Sequence, residues 1–178
     1  MSNWDKIFKP VVVLCVICVV ITGALAATNS ATAPVIAEAT AKAQAEARGE
    51  LLPEANGAFS PVQGIEVENV DDVYAADNGT GWVITSNAKG YGGTITVMSS
   101  FTPDGQIKQI KVTEAQETPG FGSNVTDTPS YWTQYGGKDA GKALVLGQDI
   151  DAHNGATISS KALIKAVNSA IEAYNAIP

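Results

Sequence analysis

Thr94-Ile95-Thr96-Val97-Met98-Ser99-Ser100-Phe101, followed by Thr102-Pro103-Asp104-Gly105 and then Gln106-Ile107-Lys108-Gln109-Ile110-Lys111-Val112-Thr113, decides the fold. The first segment is rich in β-branched and aromatic residues, which suit a pleated, half-buried surface. Thr-Pro-Asp-Gly is a strong turn former, because Pro fixes φ and Gly accepts left-handed dihedrals. The second segment alternates, with Ile107, Ile110 and Val112 as its apolar members. Two strands across a short turn must run antiparallel. Upstream, Gly81 to Ser86 has strand composition, and Ile65-Glu66-Val67-Glu68-Asn69-Val70 alternates with period 2. The expected core is an antiparallel meander with one buried face.

Downstream, Ile158 to Ala176 changes to helical spacing. Leu163, Val167, Ala170, Ile171 and Tyr174 form an apolar stripe, with Lys161, Lys165, Ser169 and Glu172 off it. Packed on the meander, this stripe gives an α+β domain. Between the two lies a Gly/Pro/Thr/Asn/Asp-rich loop, Glu117 to Pro129, of a length that favours function. Ser130 to Tyr135 reads as a helical turn carrying Trp132.

At the other end, Val11 to Ala27 is an uncharged apolar run. Seventeen helical residues span about 26 Å, slightly less than a ~30 Å hydrocarbon core. Ile7 and Phe8 extend it, and Lys9 can snorkel. Lys6 and Lys9 precede the run and no Lys or Arg follows until Lys42, so the positive-inside rule puts the N-terminus in the cytoplasm and the rest outside. Ala24-Leu25-Ala26 has the form of a signal-peptide cleavage site, but the length favours an uncleaved anchor. Cys15 and Cys18 share a face of this helix. With no further ligands nearby, packing in lipid explains them better than a metal or redox pair. Thr28 to Pro34 reads as a short polar link, and Val35 to Gly49 as an exposed helix or stalk. The organisation expected is therefore an anchor at 1–27, a linker and helical stalk at 28–63, and a domain at 64–178.

The chain of 178 residues carries a net charge of −7 and no basic block, which argues against nucleic acid as a partner. His153 is its single histidine, and outside the apolar run there is no cysteine. A protein-held transition metal, an iron–sulfur cluster and a nucleophile-elbow hydrolase all lack their residues. No phosphate-binding G-x-G-x-x-G or P-loop is present. Three glycine-bearing stretches remain: Lys89-Gly90-Tyr91-Gly92-Gly93-Thr94-Ile95, Glu117-Thr118-Pro119-Gly120-Phe121-Gly122, and Asp151-Ala152-His153-Asn154-Gly155-Ala156-Thr157. Singly, the first two are turns and the third is a Thr N-cap with a flexible lead-in. The third also sets a hydroxyl at a helix mouth, where free amides and the helix dipole favour an anion.

Taken in this order, Gly-Tyr-x-Gly-x-Ile, Glu-Thr-Pro-Gly-Phe-Gly and Asp-x-x-x-Gly-Ala-Thr resemble the FMN-binding domain shared by RnfG, of the Rnf electron transport complex, and the related NqrC, of the Nqr complex. Trp132 with Tyr135-Gly136-Gly137-Lys138 is similar to that family's Trp-x-x-[Phe/Tyr]-x-Gly-Lys region. The resemblance covers about residues 64 to 178, and a single N-terminal membrane helix is shared. The short chain favours the RnfG type. The resemblance implies an electron-relay subunit of a membrane-bound, ion-translocating ferredoxin:NAD oxidoreductase, the Rnf complex, with covalent FMN held as a phosphoester on Thr157. It implies partners in the other membrane and peripheral subunits, a flavin transferase for maturation, and an FMN domain on the extracytoplasmic side of the cell membrane. Asn154, Gly155, Ala156, Ser159, Ser160, Glu117, Thr118, Gly120 and Gly122 are the expected cofactor contacts. Tyr91, Phe121 and Trp132 are candidates for stacking on the flavin, and Lys161 for neutralising the phosphate. Asn154 stands where the family usually has Ser or Thr; Asn also hydrogen-bonds and tolerates turn dihedrals, so modification is expected to survive. The alternatives are an anchored stand-alone extracytoplasmic flavoprotein and a pilin-like structural module without cofactor. Against the latter, no Glu lies shortly inside the apolar run.

Overall fold

The computed structural model describes residues 8–178; Lys6 and Ile7, read above as flanks of the apolar run, lie outside them. Residues up to Ala43 and residues Gln44–Pro178 form two compact units. Helix α1 runs from Lys9 to Leu51. Its apolar side chains from Val11 to Leu25 are exposed, and it is long and apolar enough to cross a membrane. The polar link expected at Thr28 to Pro34 is helical instead. The hydroxyls of Thr28 and Thr32 turn back onto the carbonyls of Ala24 and Thr28, both at 3.0 Å, so the two threonines are satisfied within the helix.

The second unit is built on a five-stranded antiparallel sheet in the order β1-β2-β3-β4-β5. The strands are β1 (Phe59–Pro61), β2 (Val70–Ala76), β3 (Trp82–Lys89), β4 (Thr94–Phe101) and β5 (Ile107–Glu114). The expected meander is present, and β4, its turn and β5 follow the sequence pattern closely. The alternation at Ile65 to Val70 does not mark a strand, since pairing begins only at Val70. Ile65 and Val67 still pack partly buried against the core, so period 2 there reports burial without pairing. Strands β1 and β2 escape the pattern because β1 has three residues ending in Pro61, and Asp71-Asp72 interrupts β2.

After β5 come two single-turn helices, α2 (Ser123–Thr126) and α3 (Pro129–Trp132), then a 3-10 turn and the long α4 (Thr157–Asn175). Alternation on β4 sends Ile95, Val97 and Phe101 to one face, where they join Leu163, Ala166, Val167 and Ala170 of α4 in the main core. The Ser86 hydroxyl donates to the Ala166 carbonyl at 2.8 Å and fixes helix against sheet. Met98 and Val83 point to the other face and pack with Ala47, Leu51 and Leu52. The helical stripe read from the sequence is buried as expected, with Tyr174 partly so, but Ser169 is buried too. The loop 140–150 clasps α4 from a second side: Leu144 and Ile150 join the core, and the Asn168 amide bonds both backbone groups of Leu144 at 2.8 and 2.9 Å.

The result is an α+β fold, an antiparallel meander packed on a C-terminal helix and preceded by an N-terminal apolar helix.

Candidate functional site

The three glycine stretches are far apart in sequence and meet in one cleft of about 470 Å³, within the usual range for ligand sites. It is lined by Tyr91 from the β3–β4 turn, by Glu117, Thr118, Phe121 and Gly122 from the loop after β5, and by Gly155 to Ser159 at the start of α4. Glu117 ties the walls together. One carboxylate oxygen accepts the Gly92 N–H at 3.1 Å, and the other accepts the Ser159 hydroxyl at 2.7 Å. The glycines answer to this carboxylate. A Cβ on Gly90 would lie 2.1 Å from Glu117 Oε1, and one on Gly122 would lie 2.2 Å from Glu117 Oε2. One on Gly92 would strike the Gln116 carbonyl oxygen at 2.2 Å.

The mouth of α4 has no cap. The N-cap position is Ala156, not Thr157, and it makes no side-chain cap hydrogen bond. Thr157 is the first helical residue and is exposed. The first backbone bond across the helix start is Ser160 N–H to the Ala156 carbonyl, at 2.9 Å. The amides of Thr157, Ile158 and Ser159 therefore have no partner among the described residues. They form a positive helix end facing a cleft. Gly155 turns the chain there at φ 82, a left-handed conformation that suits glycine. No Lys or Arg lines the cleft, and its charged residue is Glu117. Tyr91 and Phe121 stand 72% and 61% exposed on its rim, which leaves two aromatic faces uncovered.

Of the residues expected from the sequence, Thr157, Gly155, Ala156, Ser159, Glu117, Thr118, Gly122, Tyr91 and Phe121 line this cleft. Five others lie elsewhere. Trp132 is turned away, its indole N–H donating to the Val125 carbonyl at 2.8 Å. Ser160 is fully buried and its hydroxyl accepts the His153 N–H at 3.1 Å, so it braces the loop instead of facing the cleft. Asn154 belongs to a separate polar groove with Asp151, His153 and Tyr131. Gly120 makes a turn at φ 78, its N–H bonded to the Ser123 hydroxyl at 2.9 Å. Lys161 is exposed and outside the lining. The region Tyr135 to Lys138 is structural. Tyr135 is fully buried, which pushes its phenol pKa up, and Gly137 N–H and the Lys138 carbonyl pair with Ile107 at 2.7 and 2.9 Å, covering the edge of β5. Sequence reasoning missed the Glu117–Ser159 bond and the wall formed by the Ile158 side chain. The spacing of Gly90, Gly92 and Gly122 was the visible trace of a group packed among them.

Residues 90–172 match the model of the FMN-binding domain, and residues 1–51 match that of the RnfG N-terminal region. The G subunit of the Na(+)-translocating ferredoxin:NAD(+) oxidoreductase complex of Acetobacterium woodii is 32% identical over 97% of this chain and 93% of its own. This chain belongs to the RnfG family, the G subunits of ion-translocating oxidoreductase complexes. The G subunit of the proton-translocating ferredoxin:NAD(+) oxidoreductase complex of Clostridium ljungdahlii is 33% identical, over 96% of this chain and 93% of its own. The crystal structure of Shewanella oneidensis NqrC superposes with a TM-score of 0.49 at 24% identity, covering 67% of this chain and 70% of that one. Membership in the RnfG family is carried by the whole length of the chain, from α1 to α4.

Proposed function

We propose that the cleft holds FMN, tied by a phosphoester to the hydroxyl oxygen of Thr157, and that the chain relays electrons as the RnfG component of a membrane-bound ferredoxin:NAD oxidoreductase. One observation carries this reading. An exposed threonine opens a capless helix in a glycine-walled cleft that contains no cation. The three free amides suit a phosphate, and the two exposed aromatics suit a flat apolar ring. Charge alone retains a free phosphate dianion poorly here, because Glu117 lines the site and the chain carries −7. An ester supplies the retention that electrostatics do not. In the transfer, the Thr157 oxygen forms the O–P bond to the FMN phosphoryl of an activated flavin nucleotide held by the transferase. The bond from that phosphorus to its leaving group breaks, the leaving group departs with the electron pair, and the Thr157 proton goes to a base. The resulting diester keeps one negative charge facing the amides of Thr157, Ile158 and Ser159.

When bound, FMN supplies a carrier that accepts and passes on electrons. The chain's own residues do the rest. Thr157 fixes the phosphate end, Gly155 and Ala156 leave room beside it, and Tyr91 and Phe121 offer their faces to the ring. Asn154 lies outside the lining, on the loop that leads to Thr157, where the maturing flavin transferase has access.

The anchor is assigned to residues 1–27 and the flavin-binding role to residues 64–178; the segment between joins them and lends β1 and Ala47, Leu51 and Leu52 to the sheet's packing. The cationic flank of the apolar run supports an N-terminus in the cytoplasm and the flavin on the extracytoplasmic side. The other membrane and peripheral subunits are the partners. The test is to co-express the chain with a flavin transferase and denature it on a gel. Yellow fluorescence and a mass gain of one FMN less water are expected, both lost in Thr157→Ala. A dark parent band without that mass gain sinks the proposal. Copurification with the other subunits separates a relay from a stand-alone flavoprotein.

A further inference from the structure

Glu117 joins the parts of the cleft that the three glycine stretches lead into. It lies in the second stretch, accepts a backbone N–H from Gly92 in the first, and accepts the hydroxyl of Ser159, two residues beyond the third. Its two oxygens are used in opposite directions, so the carboxylate works as a strut across the cleft. Gly90 and Gly122 make room for it, since a Cβ at either position would meet the carboxylate where it now sits. Ser159 is the third residue of α4, in the turn where amides lack partners. Ala156 offers no capping oxygen, and Glu117, acting through Ser159, is the anion that lines the cleft at the helix start. None of these contacts needs a ligand.

We propose that Glu117 is a positioning residue that builds the cleft before any flavin is attached, pinning the Gly90–Gly93 turn and the first turn of α4 to its own loop. The flavin then enters a preformed site and does not have to order one. Only the second arm of the test below rests on the cleft being the flavin site.

The first arm uses the full chain in detergent micelles, produced without flavin transferase. Amide hydrogen exchange is compared for the parent, Glu117→Ala and Glu117→Gln. In Glu117→Ala, Gly92 and residues Ser160 to Leu163 should exchange about tenfold faster, the loss of one charge-assisted bond, while Val83 and Met98 in the sheet stay near parent rates. Glu117→Gln should recover much of the protection, because its carbonyl still accepts from Gly92 and its amide can donate to the Ser159 oxygen. Unchanged exchange at Gly92 and the start of α4 overturns the proposal. So does uniform acceleration that includes Val83 and Met98, which would make Glu117 a general stability residue. The second arm uses flavinylated chain and reads the visible circular dichroism of the flavin. A fixed ring in the parent should lose its band in Glu117→Ala and keep it in Glu117→Gln; equal bands in parent and Glu117→Ala count against the proposal. A parent that carries no flavin defeats the functional reading and leaves the exchange result to decide this one.

Discussion

Gly90→Ala tests the packing of the cleft most sharply. Its Cβ would lie 2.1 Å from Glu117 Oε1 and 3.1 Å from Glu117 Cδ, whereas the other close atom, Ile95 Cδ1 at 3.0 Å, is the movable end of a side chain. The carboxylate must therefore swing away, breaking its bonds to Gly92 and Ser159. Bonds to a charged acceptor contribute about 1.5–3 kcal/mol each. Glu117 is half-buried and can turn to water, so the lower end applies, and the substitution should cost about 1.5–3 kcal/mol in total. In a Glu117→Ala background both bonds are already absent and the obstructing oxygen is gone. There the same substitution should be near neutral, or stabilising by about 0.4–1 kcal/mol through reduced freedom of the unfolded chain. The coupling in the double-mutant cycle should therefore be about 1.5–4 kcal/mol. Urea unfolding of the full chain in micelles, followed by tryptophan fluorescence, measures all four corners. Additivity within about 0.5 kcal/mol would refute the claim that the glycine exists to admit the carboxylate.

Two further outcomes follow from the core and the sheet. Leu163→Ala removes a fully buried side chain from the contact between α4 and the sheet and should cost about 2–5 kcal/mol by the same urea assay. Asp72 on β2 has a carboxyl pKa raised by burial, with the neighbouring Thr85 hydroxyl and then Arg48 pulling the other way, and its Oδ1 has no hydrogen-bond partner among the described residues. A raised carboxyl pKa means that the folded state binds the proton more tightly than the unfolded one. Stability is therefore lost as pH rises from the ordinary value of 3.8 through the raised one. Asp72→Asn should unfold at a higher urea midpoint than the parent at about pH 7, with the gap closing towards about pH 3; a gap independent of pH contradicts the assignment.

The hairpin of β4 and β5 was legible because composition, alternation and a Pro-Asp-Gly turn agree at one place. Helix α4 was legible because its apolar stripe repeats along its whole length. Other elements were not. Ile65 to Val70 alternates like a strand yet joins the sheet only at its end, through the Asn69 carbonyl, which accepts the Asn87 N–H at 2.8 Å, and through Val70, since side-chain period records which groups face the core and says nothing of the backbone's partners. Strand β2 hides behind Asp71 and Asp72. The helical state of Thr28 to Pro34 was hidden by polar residues that bond back to their own helix.

For the site, the sequence by itself determined the residue types: glycines at three turns, a threonine at a helix mouth and aromatics beside them. These are local properties of short segments, and local chemistry survives reading in one dimension. Only the tertiary structure decided which of these residues share a cleft. It kept Tyr91, Glu117, Phe121, Ser159 and Thr157 together, and it turned Trp132, Ser160, Asn154, Gly120 and Lys161 elsewhere. It also moved the cap position to Ala156, leaving three amides free, and made Glu117 the strut between stretches 25 and 42 residues away. Such contacts depend on how the meander and α4 pack, and no segment carries that information alone.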